Sequence, residues 1–235
     1  MARSSTRLMI TDICAVVFLI AQIVIFPLIQ FTPADPSAFW SYVAIVLVAV
    51  MAFLSLGGER SGHLIRIGIA FTLVADYFLV LKWDKELEGV IAFIFVQIAY
   101  CLYLLVNERR RGFRLANLIA RLGACLILPL LAIAVLREDA DALAIASVIY
   151  YANLIANAVF AFTLGKRERM LAVGLALFAM CDLCIGLEVL FSEYLRSKAL
   201  DFFYGDKLNL PWVFYQPSQV LIALHLYRKY RKSAK

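Results

Sequence analysis

Two acidic residues stand where acids are costly. Asp76 and Asp182 each lie deep in an apolar stretch long enough to cross a bilayer. Their surroundings match: 67–76 reads IGIAFTLVAD and 173–182 reads VGLALFAMCD, both Gly-x-Ala-x5-Asp. Even on a lenient insertion scale, a carboxylate at the centre of a membrane helix costs roughly 2.5–3.5 kcal/mol, so such a residue points to use. Two carboxyls sharing a low-dielectric pocket do not both ionise cheaply. One then holds a proton while the other does not, which is the division of labour of an acid–base pair. The chemistry open to such a pair is acid-assisted hydrolysis of an acid-labile bond, or proton-coupled transport. Matching positions also predict an internal repeat whose halves each give one acid to a shared site.

Other polar residues fall at similar depth. Gln97 follows Asp76 on the returning span, in FVQIAYCLYLL, and Gln219 follows Asp182 in the same way, in QPSQVLIALHLY. Tyr150, Asn153 and Asn157 are spaced i, i+3, i+7 and share one helical face. Gln216 and Gln219 share another, with Tyr215 one turn before Gln219, and Gln97 and Tyr100 share a third. The spacing predicts that spans three, four, six, seven and eight meet around one polar cavity, with Asp76 and Asp182 as catalytic candidates. Gln97, Tyr100, Tyr150, Asn153, Asn157, Gln216 and Gln219 are the candidate substrate-binding residues. The competing role for each Asn or Gln is interhelical hydrogen bonding, worth about 0.6 kcal/mol on average.

The remaining polar positions say less. Asp12, His63 and His225 lie towards the inner surface, Arg121 sits about two turns into span five, and Glu188 is one turn from an outer helix end. Cys181-x-x-Cys184 has the spacing of a metal or redox pair, but no second pair or His accompanies it. Cysteines within spans pack as small hydrophobes, and neither a metal nor an organic cofactor is expected. Gly-x-Ser-x-Gly, HExxH and Gly-rich phosphate loops are all absent.

The elements that must position these residues are membrane helices. The chain has 235 residues, 64% hydrophobic and 17% charged, where a soluble domain is nearer half apolar and a quarter charged. Mean hydropathy is +0.86. Eight apolar stretches of spanning length run over about 8–30, 39–57, 64–83, 88–107, 115–136, 142–164, 169–191 and 210–228. Continuous apolar runs exclude a barrel, whose strands alternate. The expectation is a single all-α polytopic membrane domain of eight transmembrane helices over 1–235, arranged as a possible 4+4 parallel repeat. Short polar links, among them Gly57-Gly58 and Lys82–Lys85, predict that consecutive helices are antiparallel neighbours. Segment 192–209 mixes Leu195, Phe202, Phe203 and Tyr204 with charges and reads as an interfacial linker or a lid.

The net charge of +6 is not a nucleic-acid signal, because sixteen of the basic residues sit at both termini and in every second loop, against six in the alternate loops. Arg109, Arg110, Arg111 and Arg114 fill one such loop, and Arg228, Lys229, Arg231, Lys232 and Lys235 end the chain. The positive-inside rule then places both termini in the cytoplasm, which requires an even number of spans. The basic tail is expected to meet anionic lipid. The first apolar run is too long for a cleaved signal peptide and reads as a span of a cell (inner) membrane protein.

Several of these segments together carry a resemblance. DYFLVL at 76–81, YY-x-N at 150–153, FAMCDLCIG at 178–186 and WVFYQPSQVLIAL at 212–224 resemble the YhhN-like lysoplasmalogenase family, most strongly over 67–104 and 148–223. The resemblance implies cleavage of the vinyl-ether bond of a lysophospholipid, the lysoplasmalogen, to a fatty aldehyde and a glycerophospho-base. It also implies that the family's paired acids are Asp76 and Asp182. The chain departs from the family pattern at Ala75 and Cys181, where the family has Gly and Ser, and at Gln97, where it has His. A Lys-Pro near the start of span two is missing too. Gln97 cannot transfer a proton. The alternative reading is a non-enzymatic lipid-binding or proton-coupled transport protein.

Overall fold

The computed structural model describes residues 2–55, 60–82, 84–189 and 209–234. Within them the chain is helical: α1 (Ala2–Phe31), α2 (Ala34–Leu54), α3 (Gly62–Asp76, continued by a π-helical turn, Tyr77–Leu81), α4 (Glu86–Asn107), α5 (Arg111–Leu136), α6 (Ala142–Thr163), α7 (Arg169–Val189) and α8 (Leu210–Ser233). The Gly57-Gly58 turn, Trp83 and the 192–208 part of the expected interfacial segment lie outside the described residues. Seven of the helices, α1 to α7, are long and apolar enough to cross a membrane. This is an all-helical membrane protein.

Six helices close a ring in the order α2, α3, α4, α6, α7, α8, with α8 returning to α2. Helix α1 lies in the groove between α2 and α8, while α5 stands outside and packs chiefly on α6. The link between α4 and α5 therefore departs from the expectation that consecutive helices are neighbours, since α4 packs on α6 instead. The polar face of α5 accounts for its position. Arg121 donates from Nε to Asn117 at 2.6 Å, while Asn153 of α6 donates to Cys125 Sγ at 3.2 Å. Satisfying those groups away from lipid holds α5 against α6.

The repeated Gly-x-Ala motif has a packing purpose. A Cβ on Gly68 would stand 2.4 Å from the Tyr100 ring of α4, and one on Gly174 would stand 3.0 Å from Ile222 and 3.1 Å from the Ser218 carbonyl of α8. Each glycine thus seats the following helix of the ring against its own, as small residues do between membrane helices. The α3–α4 and α7–α8 contacts are the most extensive in the molecule. The outer faces of α1 and α5 stay apolar, with Val16, Ile20 and Ile23 on one and Ile119, Leu122 and Leu126 on the other exposed. Such faces suit hydrocarbon.

Helix ends are held from within. Arg66, 3% exposed, donates to the carbonyls of Ala52 (3.1 Å) and Ser55 at the end of α2. These are the unsatisfied acceptors every helix C-terminus leaves. At the opposite end of the bundle, the Gln30 side chain accepts from the Asn209 N–H at 2.9 Å and donates to its carbonyl at 3.2 Å. Tyr227 donates to Asp12 at 2.6 Å, with Arg231 3.5 Å from the same carboxylate. Helix α8 therefore runs beside α1 from the level of Gln30 to that of Asp12.

Candidate functional site

Both aspartates point into the ring, eight residues beyond their seating glycines and so about 12 Å further along their helices. Asp76 is 3% exposed and accepts from Tyr215 Oη of α8 at 2.6 Å. Asp182 is only half-buried and accepts a short hydrogen bond from Tyr150 Oη of α6. Among the described residues no cation pairs with either carboxylate.

One aromatic cluster joins the two acid–tyrosine pairs. Phe178, one turn before Asp182, lies 5.2 Å from the Tyr215 ring and 6.3 Å from that of Tyr150. Phe93 of α4 stacks on Tyr150 at 5.3 Å and meets Phe178 edge-on at 5.4 Å. Trp212 closes the Tyr215 side at 5.1 Å. Phe93, Tyr150, Phe178 and Tyr215 are all buried. The arrangement therefore holds two carboxyls, each fixed by a phenol, on either side of an apolar aromatic wall. Just past Asp76 the helix widens into the π turn Tyr77–Leu81, a geometry that frequently accompanies functional sites.

The other expected site residues fall in several places. Gln97 and Asn157 bond to each other, with Asn157 Nδ2 2.9 Å from Gln97 Oε1 and 3.0 Å from its carbonyl. Gln97 Nε2 and Asn157 Oδ1 are buried atoms that have no hydrogen-bond partner. Tyr100 is fully buried against Gly68. Asn153 faces α5 through Cys125 and, at 3.5 Å, Arg121 Nη1. Gln216 turns to α1, where it donates to Gln22 Oε1 at 2.6 Å and to the Gln22 carbonyl at 2.9 Å. Gln219 is fully buried, and its Nε2 is 3.4 Å from Ser218 Oγ.

In the sequence Tyr215 stands only as a neighbour of Gln219, yet it is the direct partner of Asp76. Its spacing from the two glutamines of α8 was the available signal. No spacing could have paired it with an acid 139 residues away.

A second buried carboxylate centre had no sequence signal at all. Glu168, the residue just before α7, is 2% exposed. It accepts from Tyr103 Oη of α4 at 2.6 Å, from Lys229 Nζ of α8 at 2.8 Å, and lies 3.1 Å from His225 Nε2. Burial alone would raise its pKa, but the hydrogen bonds from His225, Lys229 and Tyr103 outweigh that and hold it at about 2. This centre lies at the Asp12 end of the bundle, far along α7 from Asp182.

No curated protein and no solved structure matches the chain. The family model of the YhhN family matches residues 36–226, from the first turn of α2 into α8 and across both aspartates. The chain belongs to the YhhN family.

Proposed function

We propose that this protein hydrolyses the vinyl-ether bond of lysoplasmalogens, using Asp76 and Asp182 as its two acids. The observation that carries the reading is the pair of carboxylates, each bonded to a buried tyrosine around one aromatic cluster, in a chain of the YhhN family. Vinyl ethers hydrolyse by protonation at the β-carbon. A carboxylic acid delivers that proton, and the resulting oxocarbenium ion is stabilised by the second carboxylate. Water then adds to the carbon bearing the oxygen and returns its proton to the spent acid. The hemiacetal so formed collapses to the aldehyde and the free glycerol hydroxyl of the glycerophospho-base.

Asp182, half-buried, is the acid a substrate can reach, and Asp76 lies sealed behind Tyr215. On this reading Asp182 donates the proton and Asp76 supports the developing cation. The aromatic wall excludes bulk water from the reacting carbon, and Gln97, Asn157 and Gln219 are the amides nearest in kind to hold the glycerol oxygens. We also count α8 as an eighth span, because it runs beside the spanning helix α1 from Gln30 to Asp12, and place both termini on the cytoplasmic side where the basic turns gather.

The test is aldehyde release from lysoplasmalogen by the purified protein in detergent, beside Asp76→Asn and Asp182→Asn. Each variant is expected to lose roughly 10²- to 10⁴-fold in rate. A folded parent that releases no aldehyde from choline or ethanolamine substrates overturns the reading and favours lipid binding or transport.

A further inference from the structure

The Glu168 centre does more than tie helices together, because it forms the back wall of a cavity. A pocket of about 200 Å³ opens beside it, lined by Arg167, His225, Arg228, Lys229, Lys232 and Ser233. At ~30 Å³ per water that is room for six or seven waters. Five of the lining residues come from one face of α8, at the i, i+3, i+4, i+7 positions that begin with His225, with Ser233 one residue beyond. His225 is 1% exposed and is held by Glu168 and by Tyr103 Oη at 3.0 Å. The wall is therefore fixed rather than a set of free surface chains.

The chemistry of the lining is one-sided. It offers two guanidinium groups, two ammonium groups, an imidazole and a hydroxyl, and no carboxylate is among the lining residues. Glu168 lies beside Lys229 and is held by Tyr103, His225 and Lys229, with Arg167 Nε 3.9 Å from its Oε1. Among the described residues, neither Arg228 nor Lys232 has an acid within ion-pair distance. A concave site of donors with a forked guanidinium suits phosphate oxygens. Its level suits them too, since α7 begins at Arg169 right beside it, where a membrane helix meets the headgroup layer.

We propose that this cavity is a phosphate-binding site, distinct from the aspartate site, which takes the phosphate of an anionic lipid headgroup or of a small phosphate ester. Arg228 and Lys232 supply the uncommitted charge, and the Glu168–His225–Lys229 knot fixes the wall against which the phosphate rests. Anionic lipid held here would clamp α8 to the start of α7.

The experiment measures binding to the full-length protein in neutral detergent, by the shift of its thermal unfolding midpoint. Three probes are titrated separately: inorganic phosphate, phosphatidylglycerol in mixed micelles, and phosphatidylcholine as the zwitterionic comparison. Saturable stabilisation by phosphatidylglycerol alone assigns the site to a headgroup, and saturable stabilisation by inorganic phosphate assigns it to small phosphates. Arg228→Gln with Lys232→Gln is expected to weaken the effective probe roughly tenfold or more. Arg109→Gln with Arg111→Gln, in the basic turn before α5, is expected to leave it unchanged. Ser233→Asp, which places a carboxylate in the cavity, is expected to match the first variant and gives an independent reading should that one fail to fold. The proposal is overturned if no anionic probe saturates, or if the control variant weakens binding as much as the cavity variants.

Discussion

Glu168, Asp76 and Asp182 are all acids drawn into this bundle, and its two ends treat them differently. Glu168, at the end where the helices leave the membrane, is surrounded by an ammonium, an imidazole and a phenol. Asp76 and Asp182, inside the ring, each receive a phenol. A cation neutralises a carboxylate and keeps it charged; a phenol supplies a hydrogen bond and no counter-charge. A carboxylate locked in an ion-pair network is structural, whereas only one left outside such a network can pass a proton to a substrate. The contrast separates a knot that holds helices from a pair of groups that can do acid chemistry.

The largest expected effect tests that separation directly. Asp76→Asn and Asp182→Asn keep a side chain that can still meet Tyr215 and Tyr150, so aldehyde release should collapse while the unfolding midpoint barely moves. Glu168→Gln should behave in the opposite way. It leaves Lys229 without its carboxylate and should cost about 3 kcal/mol of stability, measured by denaturation in detergent, with the rate per folded molecule retained. If Glu168→Gln abolishes turnover in folded protein, the comparison breaks.

Acid is the next probe. Glu168 has a folded pKa of about 2 against an ordinary value of 4.5. A depressed carboxylate contributes its stabilisation fully above the unfolded value and loses it as pH falls through the folded one. Stability from this group should therefore hold above about pH 4.5 and drain away towards pH 2, by on the order of 3 kcal/mol. A pH series of unfolding midpoints checks this, and the portion due to Glu168 should vanish in Glu168→Gln.

The smallest effect distinguishes the two aspartates from each other. Tyr215→Phe strands a carboxyl that is 3% exposed, at a cost of about 1–3 kcal/mol. Tyr150→Phe strands one that is half-buried and can turn to water, so its cost should be smaller. Equal losses would show that Asp182 is sealed as well as Asp76.

Much of the ring was legible in the sequence, because membrane helices write themselves as long apolar runs. The Gly-x-Ala-x5-Asp motif recorded both a seating glycine and an acid in the right register. Partner choice was less visible. Tyr150, Asn153 and Asn157 share a face, yet they bond to α7, α5 and α4 respectively. A shared face fixes direction, but the three are spread over about 10 Å of helical rise, and a different helix meets each one. The matched Asp–Gln pattern concealed a further asymmetry. The residue four before Gln219 is Tyr215, which serves Asp76, whereas the residue four before Gln97 is Phe93, which has no hydroxyl. Asp182 therefore draws its phenol from α6. Glu168 carried no motif, and its partners Tyr103 and His225 stand at unrelated positions in the chain, so only the folded arrangement reveals them.

The π turn after Asp76 sets a limit on the register of α3. The buried stripe Ile65, Ile69, Thr72, Asp76 keeps step with the core, and none of the five residues Tyr77–Leu81 is buried. Each residue of an α-helix turns the chain by about 100°, so the wider turn resets the phase of everything that follows. The carboxyl of Asp76 is the last buried side chain before the turn, and within the turn Leu79 still packs partly buried against the core beside Gly89. A residue lost or gained within the turn would lift Leu79 from its seat against Gly89 and re-aim the hairpin into α4, while the acid keeps the register that α3 sets.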